Sequence, residues 1–305
     1  MTKAQNIQDE IGWIGVGKMG NPMATRLMEA GHRLTICDPV VENRASLVAR
    51  GARVAATPGE VAARCTLIFA TIPDDGALEN VIYGNEEHGS FLSCVGAGVV
   101  LVEMSTVSPS LSRRVGEDLA RRGVGYLRCP ISGSTALARA GSLTALASGD
   151  ATAWERAVPF LDVLAARKFY LGPGEEARYM KLVLNALVGA TSVILAEALA
   201  LGAIGGLSDA QMMEVIAESA IASPLIRYKQ DMIAHRDFRP AFSVEQMMKD
   251  FTIITDAGRV HRVPLFATNL ILQQYTAAAS GGYAEKDFFA MVEWMRSAFN
   301  LDNYV

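Results

Sequence analysis

Lys181 and Asn185 are the two side chains of this sequence that best suit acid–base chemistry. They stand four residues apart, so on a helix the ammonium and the carboxamide share one face. The residues after Lys181 are almost wholly apolar, and an unpaired polar group buried in such a wall costs on the order of a few kcal/mol. Partial desolvation would lower the pKa of a lysine toward the neutral range that proton transfer requires. The alternative is a lysine that lies along the helix and reaches solvent with its ammonium group.

A glycine-rich segment near the N-terminus suits the phosphates of a dinucleotide. The apolar run Ile11–Ile14 leads into glycines spaced G-x-G-x-x-G and then into helix-forming residues. A strand, a tight turn and a helix in this order present backbone N–H groups and the positive end of the helix dipole to a pyrophosphate. Gly15 would permit the turn, Gly17 would admit the phosphates, and Gly20 would let the helix pack on the strand. Although the same glycines would suit a purely structural turn, the candidate cofactor-binding loop is Gly15, Val16, Gly17, Lys18, Met19 and Gly20.

Asp38 follows the second predicted strand, Arg33–Cys37, and bears on the choice of cofactor. An acidic side chain at this place can accept hydrogen bonds from the adenosine ribose hydroxyls and would repel a 2′-phosphate. The alternative is a helix cap or a turn residue before Pro39. The sequence therefore predicts NAD, and Arg44 leaves NADP possible because a nearby cation could pair with the phosphate.

Three further loops follow predicted strands, and loops at the carboxyl ends of parallel strands are where such sheets bind ligands. The first contains Ile72 and Pro73, and the second contains Thr106. The third follows a strand that ends at Cys129, and its small residues could hold a carboxylate through their N–H and O–H groups: Ser132, Gly133 and Ser134. Small residues are also common in turns that bind no ligand, so the residues alone do not establish the carboxylate-binding role.

Composition and charge exclude several classes of protein. The chain has 305 residues, 50% of them hydrophobic, which is enough for a large core and predicts two domains. A formal net charge of -4 without a long basic run argues against a nucleic-acid partner. The four cysteines lack metal-ligand spacing, and the polar N-terminus does not resemble a signal peptide. We therefore expect no metal site, reduced thiols and a cytoplasmic location.

The order of apolar runs predicts the architecture that positions these residues. Up to Leu171, strand-like runs alternate with amphipathic helical ones, which is typical of a doubly wound, mostly parallel sheet. The later runs of this part are Thr66–Thr71, Asp74–Tyr83, Val99–Met104, Pro109–Arg122, Gly125–Cys129, Leu143–Ser148, Ala151–Ala165 and Lys168–Leu171. After Gly172-Pro173-Gly174 only helices are predicted: Leu182–Leu207, Asp209–Ser219, Pro224–Ala234, Val244–Val260, Pro264–Ser280 and Ala284–Ala298. The predicted fold is α/β, with a Rossmann-type NAD-binding domain at residues 1–173 and an all-helical substrate and dimerisation domain at residues 174–305.

The segment Leu182–Leu207 is apolar enough to be mistaken for a membrane span. It carries Asn185 and Glu197, and its longest uncharged piece falls short of the roughly 20 residues that a bilayer needs. A helix that is apolar on nearly every face must be covered all round. We therefore expect no membrane span but a helix at a domain or subunit interface, in a homodimer or homotetramer.

The sequence resembles, over almost its full length, the β-hydroxyacid dehydrogenases, the family of the 3-hydroxyisobutyrate dehydrogenase type. Four blocks match in order: the glycine loop with Asn21–Ala24, the substrate segment Pro130–Leu143, the lysine segment Gly172–Asn185, and the Lys–Asp pair within Met247–Asp250. The resemblance implies that Lys181 is the general acid/base on the substrate hydroxyl and that Asn185 orients the substrate. It also implies that Ser132 and Gly133 grip a substrate carboxylate, and that the contacts to NAD include Ile72, Pro73, Thr106 and Lys249.

The sequence departs from the family pattern around the substrate segment. Ser134 stands where a second glycine is usual, Leu137 where a small residue is usual, and Arg128 where an acidic residue is usual. The implied activity is hydride transfer between NAD and a small 3-hydroxy acid, giving a semialdehyde or keto acid, with the identity of the acid left open. One alternative is imine reduction, which Lys181 disfavours because such enzymes usually lack it. The other is a catalytically silent NAD-binding protein.

Overall fold

The computed structural model describes residues 10–84 and 89–300, and the chain divides into two compact units, Met1–Lys181 and Leu182–Val305. The strands of the first unit are β1 (Ile11–Ile14), β2 (Leu34–Cys37), β3 (Arg53–Val54), β4 (Leu67–Ala70), β5 (Val100–Glu103), β6 (Gly125–Arg128), β7 (Ile131–Ser132), β8 (Leu143–Gly149) and β9 (Ala165–Tyr170). Its helices are α1 (Gly20–Glu29), α2 (Val41–Ala49), α3 (Pro58–Arg64), α4 (Asp75–Tyr83), α5 (Phe91–Cys94), α6 (Pro109–Ala120), α7 (Thr135–Ala140) and α8 (Ala151–Leu164). The alternation confirms the predicted α/β fold class of this unit.

The strands form one sheet in the order β3-β2-β1-β4-β5-β6-β8-β7, with β9 paired to β8. Strands β1 to β6 run parallel to one another, whereas β8 runs antiparallel to both β6 and β7. The chain moves outward from β1 to β3 and then returns to the other side of β1 at β4. This reversal creates the switch point at which open α/β sheets bind ligands. The sheet is thus the predicted doubly wound one, with an antiparallel edge that the sequence did not reveal.

The central strands are buried on both faces, which explains their unbroken apolar runs. Trp13 and Phe69 stack with ring centroids 5.1 Å apart in the cluster on one face. Ile68 and Leu101 point into the cluster on the other face. Because both faces are covered, only the strand ends and their loops can contact a ligand.

Every regular element in the described part of the second unit is a helix. The long helix α9 (Glu176–Ile204) begins in the first unit and is followed by α10 (Asp209–Glu218), α11 (Pro224–Ala234), α12 (Val244–Val260), α13 (Phe266–Ala278) and α14 (Met291–Ala298). Serines cap α10, α11 and α12 by accepting a backbone N–H, and α10 and α12 have complete capping boxes. The sequence analysis placed the domain boundary after Pro173, whereas the compact units divide inside α9, after Lys181.

The predicted helix Ala284–Ala298 was too long at its start. A π-helical segment, Ala279–Tyr283, follows α13, and a 3-10 turn, Phe288–Ala290, precedes α14. Asp287 has an extended backbone between them, and its carboxylate accepts bonds from Lys229 Nζ at 2.8 Å and from the backbone N–H of Phe289 at 3.1 Å. A buried ion pair to a residue on another helix therefore overrides the local preference for helix.

Helix α9 exposes an apolar face in the single chain. It is long and apolar enough to cross a membrane by length and hydropathy, a test that core helices of soluble proteins also pass. Leu187, Ile194 and Leu201 are 64%, 59% and 73% exposed. The expectation of a helix covered all round is therefore not met within one chain, and these residues lie along one side at helical spacing.

Candidate functional site

The glycine loop after β1 has three glycines with three different roles. Gly15 has φ +81°, and a Cβ there would lie 2.2 Å from the carbonyl oxygen of Thr71. A Cβ at Gly20 would lie 2.1 Å from the carbonyl oxygen of Gly15. At Gly17 the nearest atom to a Cβ would be Asn43 Nδ2, at 3.7 Å. Gly15 and Gly20 are thus required by the protein's own packing, whereas Gly17 leaves open space above the loop.

Helix α1 presents an uncapped N-terminus beside this space. Met19, at the N-cap position, makes no side-chain capping bond, and no acidic residue lies in the first turn of this fully described helix. Asn21 N–H donates to Gly17 O at 2.9 Å, which closes the turn. The positive helix end and the open side of Gly17 fit the pyrophosphate of a dinucleotide.

Asp38 is 6% exposed at the end of β2 and bonds to both the glycine loop and its own turn. Its Oδ2 accepts from Val16 N–H at 2.8 Å. Its Oδ1 accepts from Val40 N–H at 2.8 Å and from Asn43 Nδ2 at 3.1 Å. Since a carboxylate offers about four acceptor positions, one remains for a ribose hydroxyl. Asp38 therefore does act as a turn residue, which was the alternative that the sequence left open, and its carboxylate is also held beside the glycine loop.

Ile72 and Thr106 lie in loops after β4 and β5, at the same edge of the sheet as the glycine loop. Ile72 N–H donates to Ser105 Oγ at 2.6 Å, so the two loops are bonded to each other. Thr71, which sequence analysis did not single out, donates its hydroxyl to Gly15 O and accepts from the indole of Trp13 at 3.0 Å. The structure thus brings the glycine loop and the loops of Ile72 and Thr106 together at the carboxyl ends of neighbouring strands, with Pro73 exposed next to Ile72.

The segment Ser132–Ser134 crosses from β7 into α7. Ser132 pairs with Thr144 of β8, and Gly133 has φ +139°. Ser134 Oγ accepts from Leu137 N–H at 3.5 Å and so caps α7. The hydroxyl that replaces the usual second glycine therefore has a structural role, and Leu137 is 42% exposed on the following turn.

Helix α9 begins with a buried guanidinium one turn before Lys181. Arg178 is 1% exposed and donates to the carboxylate of Glu103, to Ser105 O at 2.7 Å and to Tyr126 OH at 3.1 Å. It also donates to Ser112 Oγ at 3.1 Å. Burial alone would lower the pKa of Arg178, but Glu103 and Tyr126 together more than offset it and raise that pKa above its ordinary value. The first turn of α9 is therefore joined to the end of β5 and to β6 by a permanently charged side chain.

Two further side chains, Arg128 and Ser148, hold the chain just before and at the start of α9. Arg128 Nε donates to Glu175 Oε1 at 2.6 Å, and both side chains are buried. Ser148 Oγ donates to Gly174 O at 2.9 Å and accepts from Ala177 N–H at 3.0 Å. The replacement at Arg128 that the sequence flagged beside the substrate segment thus has a partner within the lysine segment.

In the second unit, Asn185 is fixed by the Lys–Asp pair of α12. Asn185 Nδ2 donates to Asp250 Oδ2 at 2.5 Å, and Lys249 Nζ lies 3.0 Å from Asp250 Oδ1. Asn185 and Asp250 are 7% and 1% exposed. Because a carboxylate can only accept, the NH₂ group of Asn185 must face Asp250, which leaves its second N–H and its carbonyl oxygen as the groups it can offer to a ligand. The predicted residues Asn185 and Lys249 are therefore coupled through one buried carboxylate.

Sequence reasoning missed Thr71, Glu103 and Arg178. Their partners lie far away along the chain, so no local pattern marks them. A charged residue at the end of a buried strand, as at Glu103, is the signal from which a buried partner could have been predicted.

Two family models together match nearly the whole chain. The NAD binding domain of 6-phosphogluconate dehydrogenase matches residues 10–172. The NAD-binding domain of NADP-dependent 3-hydroxyisobutyrate dehydrogenase matches residues 176–295. The segments matched are the Rossmann-type part and the helical part of the fold.

Individual proteins agree with the family models. The chain is 33% identical to 2-(hydroxymethyl)glutarate dehydrogenase of Eubacterium barkeri, over 93% of this chain and 94% of that protein. It is 30% identical to NAD-dependent L-serine dehydrogenase of Pseudomonas aeruginosa, over 92% of this chain and 95% of that protein. The crystal structure of 3-hydroxyisobutyrate dehydrogenase from Salmonella typhimurium superposes on this chain with a TM-score of 0.84 at 24% sequence identity. The superposition covers 93% of this chain and 99% of that chain, which supports the fold. With the glycine loop, the lysine helix and the Lys–Asp pair in the family's order, this chain belongs to the β-hydroxyacid dehydrogenase family and is an NAD(P)-dependent oxidoreductase of small hydroxy acids.

Proposed function

We propose that this enzyme transfers a hydride between NAD and a small 3-hydroxy acid, with Lys181 as the general acid/base. The observation that carries the proposal is the arrangement on α9. Lys181 is half-buried one turn after a permanently charged anchor, and Asn185, one turn further on, has its amide fixed by Asp250. An amine that can exchange a proton and an oriented amide N–H that can donate to an oxygen, on one helix face, suit a substrate hydroxyl or carbonyl group.

The nicotinamide of bound NAD(P) supplies the hydride acceptor in oxidation and the hydride donor in reduction. During oxidation the neutral amine of Lys181 takes the hydroxyl proton and becomes an ammonium ion. During reduction that ammonium returns the proton to the carbonyl oxygen, so the same group serves both directions. Asn185 holds the substrate oxygen in line with the amine, and Lys249 and Asp250 keep Asn185 oriented.

The remaining predicted residues bind the two ligands. Ser132 and Gly133 hold the substrate carboxylate through O–H and N–H groups, and Ser134 supports them as the cap of α7. The open side of Gly17 and the N-terminus of α1 receive the pyrophosphate. Contacts to the remainder of NAD come from Val16, Lys18, Met19, Ile72, Pro73, Thr106 and Lys249.

A panel of hydroxy acids, tested at the nicotinamide absorbance band with NAD and NADP separately, tests the proposal. We expect turnover with 3-hydroxy acids or their semialdehydes, because the serine loop needs a carboxylate and Lys181 needs a hydroxyl or carbonyl oxygen. Turnover of cyclic imines alone would contradict the proposal and favour the imine-reductase alternative. Cofactor binding without turnover of any substrate would instead favour a catalytically silent protein.

Asp38 should make the enzyme prefer NAD. Its buried carboxylate lies beside Val16, and a 2′-phosphate close to it would meet like charge at a cost of about one to several kcal/mol. We expect kcat/KM with NAD to exceed that with NADP by about tenfold or more. Asp38→Asn keeps the shape and removes the charge, so it should reduce the preference. Equal or better use of NADP by the unaltered enzyme would contradict this prediction, and Arg44→Ala would then test Arg44 as the compensating cation.

The exposed apolar face of α9 should be covered by a second copy of the chain. Three large side chains on this face, Leu187, Ile194 and Leu201, are more than half exposed, and contiguous apolar surface of this kind marks protein interfaces. Light scattering at micromolar concentration should give at least twice the 32.7 kDa mass of one chain. Ile194→Glu should lower that mass without preventing folding. A monomeric mass for the unaltered protein would contradict the prediction.

We also propose a cytoplasmic location, with all thiols reduced. Burial raises the pKa of Cys37 and of Cys65 to about 11, and that of Cys129 to about 12, so these thiols stay protonated and unreactive near neutral pH. Cys94 is exposed and free, as suits a reducing compartment.

A further inference from the structure

Arg178 has more buried hydrogen-bond partners than a simple ion pair needs. Its guanidinium contacts the Glu103 carboxylate, the Ser105 carbonyl oxygen, the Ser112 hydroxyl and the Tyr126 hydroxyl. Glu103 is fully buried and Arg178 nearly so. A single buried partner would neutralise the charge, whereas this set also fixes the orientation of the planar group.

Two partners of Arg178, Glu103 at the end of β5 and Ser105 in the loop after it, connect the guanidinium to the loop that contains Ile72. Glu103 Oε2 accepts from Arg178, and Glu103 Oε1 accepts from Ser105 N–H at 2.9 Å. Ser105 Oγ in turn accepts from Ile72 N–H at 2.6 Å. A continuous set of bonds therefore runs from Ile72 through Ser105 and Glu103 to the first turn of α9.

Lys181 lies three residues after Arg178 on the same helix, which is a rise of about 4.5 Å along the axis. A helix is stiff over one turn, so fixing Arg178 fixes both the axial position and the rotation of the helix at Lys181. The Arg128–Glu175 and Ser148–Ala177 contacts hold the same stretch to β6 and β8, but they do not contact the loop at Ser105.

We propose that Arg178 is a positioning residue, which holds Lys181 in register with the loops at Ile72 and Thr106. The inference rests on the proposed function of Lys181 and adds a residue that the family resemblance did not supply. Arg178 does not touch the reacting atoms. It acts by setting where the Lys181 amine stands relative to the loops that are candidates for contact with NAD, and a displacement of about 1 Å at such a group can cost about 100-fold in rate.

The difficulty of the test is that Arg178→Met leaves Glu103 buried without its counter-charge, which destabilises a protein whatever else the arginine does. The double variant Glu103→Leu/Arg178→Met removes both charges together, and such replacements are often neutral in stability. Arg178→Lys keeps the charge but cannot reproduce the planar fork. Arg296→Met is the matched control, because Arg296 is also a buried arginine, 3.2 Å from Asp209 in the second unit.

For each variant we would measure the melting temperature, kcat and KM for the hydroxy acid, and the pH dependence of chemical modification of the Lys181 amine. We expect the double variant to regain most of the melting temperature that Arg178→Met loses while kcat stays at least about tenfold below the unaltered enzyme. In the double variant and in Arg178→Lys, neither of which leaves an unpaired buried charge, the pH midpoint for modification of Lys181 should differ from that of the unaltered enzyme, because the amine stands in different surroundings. Arg296→Met should lower the melting temperature without changing kcat or the modification midpoint.

Full kcat in a double variant with restored melting temperature would overturn the proposal and reduce Arg178 to a stabilising residue. If the double variant does not fold, Arg178→Lys decides, since unchanged kcat and an unchanged Lys181 midpoint in a folded Arg178→Lys protein would overturn it equally. Failure of the proposed function can be distinguished from failure of the Arg178 proposal, because Lys181→Ala would retain turnover only if Lys181 is not the general acid/base. The modification of Lys181 needs neither substrate nor cofactor, so it reports on positioning even then.

Discussion

Lys181→Ala should lower kcat by about 10²–10⁴-fold, which is the usual contribution of a positioned acid/base group. The affinity for NAD should remain nearly unchanged, because the proposed cofactor contacts of the first unit lie in the glycine loop and the loops after β4 and β5. Measuring kcat by stopped-flow or steady-state absorbance and the dissociation constant for NAD by calorimetry separates the two effects. Asn185→Ala should lower kcat less and should partly raise KM, because its proposed role is orientation.

Lys181→Arg is the informative companion variant. It keeps the positive charge and the long stem, but guanidinium stays protonated and cannot accept the hydroxyl proton during oxidation. Activity should therefore not return. A lysine that only reaches solvent along the helix predicts that all three substitutions are nearly silent. A folded, NAD-binding Lys181→Ala enzyme with most of its turnover would refute the catalytic assignment.

Much of the fold could be predicted because the central strands and the capped helices carry local signals. Strands buried on both faces read as unbroken apolar runs, and Pro224–Ala234 and Val244–Val260 have the bounds that their serine caps predict. Strands β3 and β7 are two residues long and have no such signal. The antiparallel direction of β8 depends on pairing with β6, which no local pattern encodes.

Interactions between distant residues account for the larger differences. Asp287 interrupts the predicted helix at Ala284–Ala298 because Lys229, on α11, pairs with it in the core. The Gly-Pro-Gly turn, where the sequence analysis placed the domain boundary, lies just before α9, whereas the compact units divide within that helix, after Lys181; the bond of Arg178 to Glu103 joins the first turn of α9 to β5.

The candidate site likewise has features that the local sequence predicts and features that depend on distant residues. The spacing of Lys181 and Asn185 is a local property, and the sequence was sufficient to put them on one helix face. Their supports are not local, since Asn185 depends on Asp250 and the start of the lysine helix depends on Glu103. Candidate catalytic side chains can thus be proposed from residue type and spacing, whereas the residues that support them emerge only when the chain is folded.

The three glycines of the cofactor loop should respond differently to substitution. Gly17→Val should raise the dissociation constant for NAD by about 100-fold, equivalent to about 2.7 kcal/mol, while the melting temperature changes little. The reason is that a Cβ at Gly17 has no protein atom closer than 3.7 Å, so the added side chain occupies the space proposed for the pyrophosphate. Gly17→Ala, which adds one methyl group, should have a smaller effect in the same direction.

Gly15→Ala and Gly20→Ala are the matched controls, because their Cβ atoms would lie 2.2 Å and 2.1 Å from backbone oxygens. Both should lower the melting temperature, and Gly15→Ala carries the added strain of φ +81°. Calorimetric titration with NAD and a thermal melt of each variant therefore distinguish the space for the ligand from the packing of the turn. If Gly17→Val binds NAD as tightly as the unaltered protein, the pyrophosphate does not approach the backbone at Gly17, and the cofactor assignment of this loop is wrong.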